Sequence, residues 1–427
     1  MLLFHSHNYI SGDNMTKDNS EPRYNPFILR ELFPDASKIL APLPPLHEMA
    51  KTCLFVLDAN SLLAPFNIGT DSLTDVGEIL KRLRRDKRLF VPAHALREFA
   101  KHRSAKIAGV FSLLHSRNST IPETPRIETP MLDGLPQFVA LQASLEGVKK
   151  ATREYRKCLT ELMDVIRQWN ADDPVSLLYS DLFTPDTIAE HKREDTDILG
   201  DLANRTTHSI PPGYKDKAKE CGGVGDLLIW HTILSLGKEK NADVVFVSND
   251  EKCDWMTSQH NEALFPRYEL QAEFHRETGR HISIITFSRF LKLLGAVQAT
   301  INEAAAAEQE QRSQEMLGVL RQLWGIAQSY IDDYQVERDY QYITEPRFVS
   351  LVAQYSRIWT SHCESVDTRP EARRAYSSLE VILAEAVSLS GQIKYMESRM
   401  KKAADEEQAR LLTLCEQFIQ EYRFLAS

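Results

Sequence analysis

Two short apolar runs, each close to an amphipathic helix, restrict this chain to a small set of folds. LFVLDA (54–59) and RLFVPA (88–93) are short and almost wholly apolar, as buried strands are. Between them, DSLTDVGEILKRLRRDK (71–87) places Leu73, Val76, Ile79, Leu80 and Leu83 at helical spacing. HALREFAKHRSAKIAGVFSLL (94–114) follows the second run as another helix. Strand, helix, strand, helix in this order implies an α/β fold with a parallel sheet. DLLIWHTILSLGKEK (226–240) is a further helix, ADVVFVSND (242–250) and HISIITFS (281–288) supply two further strands, and RFLKLLGAV a last helix.

The rest of the chain divides around that unit. Residues 1–50 are polar and Pro-rich and read as an arm of little structure, with NPFILRELF as one short docking helix. Met15 opens a typical start, so residues 1–14 are expected to be an upstream extension or disordered. Residues 115–135 are rich in Pro, Ser and Thr and read as a loop; 136–170 are helical, and 180–208 supply one or two more helices. The region from about 136 to 208 is thus a helical insertion in an α/β domain spanning 51–298. From 299 to 427 there are no strand patterns or Gly-rich loops, and three or four helices are expected to form an all-α C-terminal domain.

No run of about 18 apolar residues exists, so no membrane span is expected. The six cysteines form no C-x-x-C pair, which suits a reducing, cytoplasmic setting. A net charge of −9 argues against a protein that coats nucleic acid over its whole surface. One local exception is a basic zone over 81–106, with ten Lys and Arg in 26 residues, including Arg97 and Lys101.

Carboxylates punctuate the ends of these elements. Asp58 closes the first strand, and Glu98 lies one turn into the helix after the second. Asp226 opens a helix after a glycine-rich loop, and Asp250 ends a third strand with Asp254 four residues on. Each has a plain structural explanation as a helix cap or dipole partner. Together, in alternating elements, they can converge on the carboxyl edge of a parallel sheet, where open α/β folds keep their sites. A carboxylate cluster without His or Cys suits Mg²⁺ or Mn²⁺, and the chemistry natural to it is metal-assisted phosphodiester hydrolysis.

LDANSLL (57–63), RLFVPAHALREF (88–99), PPGYKDK (211–217), GDLLIW (225–230) and VVFVSNDEKCDW (244–255) resemble the PIN-domain nucleases, specifically a bacterial PIN-like group with a long helical insertion. The resemblance covers about 25–295, and the C-terminal 130 residues fall outside it. It implies a three-layer α/β fold and a Mg²⁺- or Mn²⁺-dependent ribonuclease that leaves 5′-phosphate and 3′-hydroxyl ends. Carried over by position, Asp58, Glu98, Asp226 and Asp250 would bind metal, with Asn60 and Asp254 in support. In the PPGYKDKAK loop, Lys215, Lys217 and Lys219 could contact phosphate, Asp216 could add a metal or supporting contact, and Tyr214 could stack on a base. Trp230 and Trp255 are expected in the core, and His94, His102 and His231 need have no direct part.

The reading is a cytoplasmic nuclease acting on RNA. A DNA or flap nuclease of the same fold and a catalytically silent scaffold are its rivals. A nuclease of broad specificity would harm its host, which suggests a toxin or phage-defence effector. The C-terminal helices are then expected to bind a protein partner or to self-associate.

Overall fold

The computed structural model describes residues 25–40, 43–121, 129–214, 223–249, 254–259, 262–335, 348–349, 351–355, 370–397 and 401–426. Its strands are β1 (Leu54–Leu57), β2 (Leu89–Pro92), β3 (Ile188–Ala189), β4 (Val244–Val247), β5 (Met256–Gln259), β6 (Glu262–Pro266) and β7 (Ile282–Ile285). Five of them form one sheet in the order β3-β2-β1-β4-β7, with every neighbouring pair parallel. Residues of β1, β2 and β4 are buried throughout, as a sheet covered on both faces requires. The chain winds outward from β1 through β2 to β3, then crosses back to β4 on the other side of β1. That reversal is a topological switch point, and it opens a crevice at the carboxyl ends of β1 and β4.

The helices are α1 (Ile28–Leu32), α2 (Leu46–Met49), α3 (Ala59–Leu63), α4 (Thr70–Arg85), α5 (Ala93–Ser119), α6 (Pro136–Gln168), α7 (Pro174–Leu182), α8 (Asp195–His208), α9 (Val224–Lys240), α10 (Tyr268–Thr278) and α11 (Phe287–Leu293). The C-terminal region adds α12 (Gln298–Gln335), α13 (Pro370–Glu397) and α14 (Lys401–Ala426). No described helix is long and apolar enough to cross a membrane.

Helix α4 buries Val76, Ile79, Leu80 and Leu83, the stripe expected from its spacing. Helices α5, α6 and α7 lie between β2 and β3 in the chain. Helix α5 runs to Ser119, beyond the start of the loop expected at 115, because HSRNS offers neither Pro nor Gly to stop it. Strand β3 was not expected, since TPDTIAEHK carries no apolar run; its two residues are recruited by pairing Ile188 with Val91. The antiparallel pair β5 and β6 likewise lies in a stretch without clear alternation.

Two hydrophobic clusters divide the chain. One gathers the sheet and its helices and includes Ala304; the other begins at Met316 and takes in Phe348, Tyr355, Leu383 and Phe418. Helix α12 contributes to both. It starts at Gln298, and the clusters change over further along it, between Ala304 and Met316.

Behind the carboxyl edge, a buried polar network ties α8, α9 and α10 together. Arg205, 4 % exposed, donates to Asp201 at 3.0 Å, to Glu273 at 2.5 Å and to the Pro211 carbonyl. Trp230 Nε1 donates to the other Glu273 oxygen at 3.0 Å, and His231 Nε2 lies 2.9 Å from Asp201. Burial pushes the Asp201 carboxyl up, but His231 and Arg205 more than offset it and leave it below its ordinary value. A carboxyl held lower in the folded chain stabilises it above the unfolded value, and that contribution fades as pH falls through the folded one. Replacing Arg205 with Met leaves two carboxylates without their shared cation. The variant should lose about 3–5 kcal/mol at neutral pH in denaturant unfolding. The difference should shrink as pH falls below about 4.

Candidate functional site at the carboxyl edge of the sheet

The register of β1 on β4 builds the centre of the site. Leu57 lies opposite Val247, so the next residues, Asp58 and Ser248, stand side by side. Asp58 has extended backbone and caps α3, its Oδ1 accepting from Ala59 N at 2.8 Å. Its Oδ2 accepts from the Ser248 hydroxyl at 2.7 Å, and the residue is 8 % exposed. A carboxylate this buried is tolerable because both oxygens are bonded. Asn60 reaches the same hydroxyl through Nδ2 at 3.3 Å and accepts from Asn249 N through Oδ1 at 3.0 Å. Ser61 Oγ donates to the Val247 carbonyl at 2.8 Å. Thus α3 is stitched to the end of β4 by three polar residues at its start, the capping Asp58, Asn60 and Ser61. Ser248 and Asn249 were not singled out from the sequence; the only signal for them is their place in S-N-D, just before Asp250.

Glu98 reaches the same edge from α5, which starts as soon as Pro92 ends β2. His94, one turn earlier on the same face, has Nε2 3.5 Å from Glu98 Oε1. Helix α9 comes in against this pair. A Cβ on Gly225 would stand 3.0 Å from Glu98 Oε1 and 3.0 Å from His94 Nε2, so a side chain at 225 would oblige Glu98 or His94 to shift by a few tenths of an ångström. Asp226, the next residue, lies in the first turn of α9, where the helix dipole favours a carboxylate.

Asp254 stands deeper. It is fully buried, and its Oδ2 accepts from Gly213 N at 3.2 Å. Gly213 has φ +90°, and a Cβ there would lie 2.7 Å from the Gly223 carbonyl oxygen. The two ends of the 213–223 loop are therefore pressed together, with Asp254 pinning one of them. Tyr214, at that end, bonds through its side chain to Arg267, which also holds Glu269 with Nε to Oε2 at 3.0 Å. Asp250, Lys215, Asp216, Lys217 and Lys219 lie outside the described residues.

Much of the basic zone fastens the fold. Arg97 forms a two-pronged pair with Glu190, at 2.7 and 3.2 Å, which holds the Glu190 carboxyl below its ordinary range. Arg82 donates to the Leu294 carbonyl at 2.7 Å, Arg88 to Cys53 O at 2.8 Å, and Arg84 to Asp181 O. Arg103 pairs with the buried Asp173 at 2.7 Å. Lys101 is exposed on α5. Trp230 and Trp255 are core residues, their rings 6.1 Å apart edge to face. His231 belongs to the network with Asp201, and His102 is exposed.

The edge therefore brings Asp58 beside Ser248 and Asn60, and Glu98 beside Gly225 and the α9 turn that carries Asp226. Among the described residues, no three His, Cys, Asp or Glu side chains are gathered tightly enough to hold an ion by themselves. The donors are nevertheless all of one kind, carboxylate and amide oxygens, and that chemistry fits a hard divalent cation such as Mg²⁺ or Mn²⁺. A family model described as a PIN like domain matches residues 54–270. No curated protein and no solved structure matches the chain.

Gly225→Ala tests the packing of α9 on Glu98. The added methyl forces Glu98 or His94 to give way, while alanine in a helix is favoured by up to about 1 kcal/mol. The variant should keep cooperative unfolding and lose about tenfold or more in Mn²⁺ affinity by calorimetry. Unchanged affinity would separate Glu98 from metal binding.

Proposed function

The chain belongs to the PIN-like domain family, whose members are generally nucleases, and on that premise we propose that it is a divalent-metal-dependent endoribonuclease. The observation that carries the reading is the meeting of α9 with α5. Gly225 lies against Glu98, and Asp226 is its neighbour, at the same edge where Asp58 caps α3. In this reading carboxylates from three separate elements face that edge, although each would be better solvated apart. A cation is the simplest reason to keep them together.

In this reading Asp58, Glu98, Asp226 and Asp250 hold Mg²⁺ or Mn²⁺. When bound, such an ion supplies an acidified water and offsets charge on the phosphate. The remaining work belongs to the chain. Ala59 N and the Ser248 hydroxyl favour the ionised form of Asp58 and fix its direction. Asn60 spans to Asn249 N and so steadies the backbone that leads into Asp250. His94, within 3.5 Å of Glu98, orients that carboxylate. Asp254 holds the 213–223 loop at Gly213; in this reading Lys215, Lys217 and Lys219 contact the phosphate backbone, and Asp216 adds a metal or supporting contact. In this reading Tyr214 stacks on a base and Lys101 contacts substrate, while Arg97, engaged with Glu190, contributes only by exchanging that partner. The substrate is RNA, the setting cytoplasmic, and the role that of a toxin or phage-defence effector. Its activity is restrained by a partner, or by self-association, through the C-terminal helices.

Labelled single-stranded RNA, incubated with Mn²⁺, Mg²⁺ or EDTA, tests the reading. Cleavage should require the metal and fall about 100-fold or more in Asp58→Asn, with circular dichroism unchanged. Sustained cleavage by an Asp58→Asn, Asp250→Asn double variant would sink it. Preference for branched DNA in direct competition would move the substrate from RNA to DNA. Absence of both cleavage and metal binding would leave a scaffold.

A further inference from the structure

A chain of hydrogen bonds runs from the C-terminal region into the candidate site. Glu308 of α12 is 7 % exposed and accepts from Ser288 twice, from its N at 2.7 Å and from its Oγ at 2.7 Å. Ser288 lies in the first turn of α11, directly after Phe287, whose N donates to Asn249 Oδ1 at 2.9 Å. Asn249 N donates to Asn60 Oδ1 at 3.0 Å. Asn60 then bonds the Ser248 hydroxyl, which bonds Asp58 Oδ2 at 2.7 Å. Asn249 is the joint: its side-chain Oδ1 accepts from α11 and its backbone N donates to α3, on the residue before Asp250.

The physical case rests on cost. A nearly buried carboxylate is expensive unless its oxygens are bonded, and an apolar residue would suit a helix interface better. Glu308 instead satisfies the start of α11, and so fixes where Phe287 N meets Asn249. Its helix also carries Met316, Val319, Leu320 and Leu323 into the second hydrophobic cluster. The geometry points to Glu308 and Asn249 as positioning residues through which the C-terminal helices set the β4 end of the nuclease site. Displacing α12 would release Ser288, then Asn249, and the Asp58–Asn60 side of the edge would lose its brace. A partner acting on the C-terminal helices thereby gains a route to the site without touching substrate. This inference rests on the metal reading above.

A control is built into the same helix. Glu303 also docks α12, accepting from Gly69 N at 2.8 Å at the start of α4, but it has no bond into the Asn249 chain. The experiment uses the full chain and compares wild type with Glu308→Ala, Glu308→Gln and Glu303→Ala. The readouts are amide exchange across 245–255 without metal, and Mn²⁺ binding by calorimetry. Glu308→Ala should speed exchange at Ser248 and Asn249 and weaken Mn²⁺ binding about tenfold. Glu308→Gln, which keeps an acceptor for Ser288, should recover most of both. Glu303→Ala should match wild type.

Wild-type exchange and affinity in Glu308→Ala would overturn the inference. So would equal losses in Glu303→Ala, which would make docking in general the cause. If Glu308→Ala fails to fold, Ser288→Ala removes one of the two contacts and must show the same changes in smaller measure. If wild type binds no Mn²⁺, the metal reading fails on its own, and exchange alone decides whether α12 positions Asn249.

Discussion

The parallel register of β1 on β4 is the constraint on which the site depends. Side chains alternate along a strand, so a slip of one residue would turn every inward group outward. With both strands buried throughout, that slip is heavily penalised, and Leu57 stays opposite Val247. The pairing leaves Asp58 one residue beyond the apolar run, where its backbone N still bonds Val247 O at 3.0 Å while its side chain has left the core. Ser248 N bonds Ile285 O in the same way, so β7 locks β4 as β4 locks β1. The polar edge is therefore as well defined as the apolar sheet beneath it.

Charge is used locally. A chain with a net charge of −9 concentrates Arg and Lys near Glu98, yet Arg82, Arg84, Arg88, Arg97 and Arg103 are committed to carbonyls or carboxylates. They stabilise crossings between distant segments, such as α4 with the end of α11, which a planar guanidinium does well. The acidic edge is thus flanked by arginines that are already occupied. In the proposed reading, attraction for a polyanion draws on a bound cation, on lysines, and on arginines outside these pairs.

The sheet was legible because its strands are apolar enough to be read without their neighbours. LFVL, LFVP and VVFV admit little else, and the intervening helices show the right period. The order of carboxylates after them was legible for the same reason, since Asp58 stands where the apolar run stops. What escaped was whatever depends on a partner. Strand β3 has two residues and exists only through Val91; β5 and β6 pair with each other in a stretch of weak alternation. Ser248 and Asn249 are ordinary polar residues until the register sets them against Asp58 and Asn60. Basic residues in a row look like a groove, and only the fold tells that most of the arginines face carbonyls or carboxylates.

The same limit applies to the C-terminal region, whose helices were evident from composition while their bearing on the site was not. Helix α12 has 38 residues and so extends about 57 Å at 1.5 Å per residue. A flexible linker would have let the second cluster move without consequence for the first. A continuous helix shared by two cores behaves differently, because displacing one end means breaking backbone bonds or moving the other end too. Its bonds to the first core fall at Gly69 and at Ser288, both at starts of helices on the edge that carries Asp58. The chain has placed the attachment of its second core where a small displacement changes a carboxylate's neighbours. On the opposite edge the same displacement would change only packing.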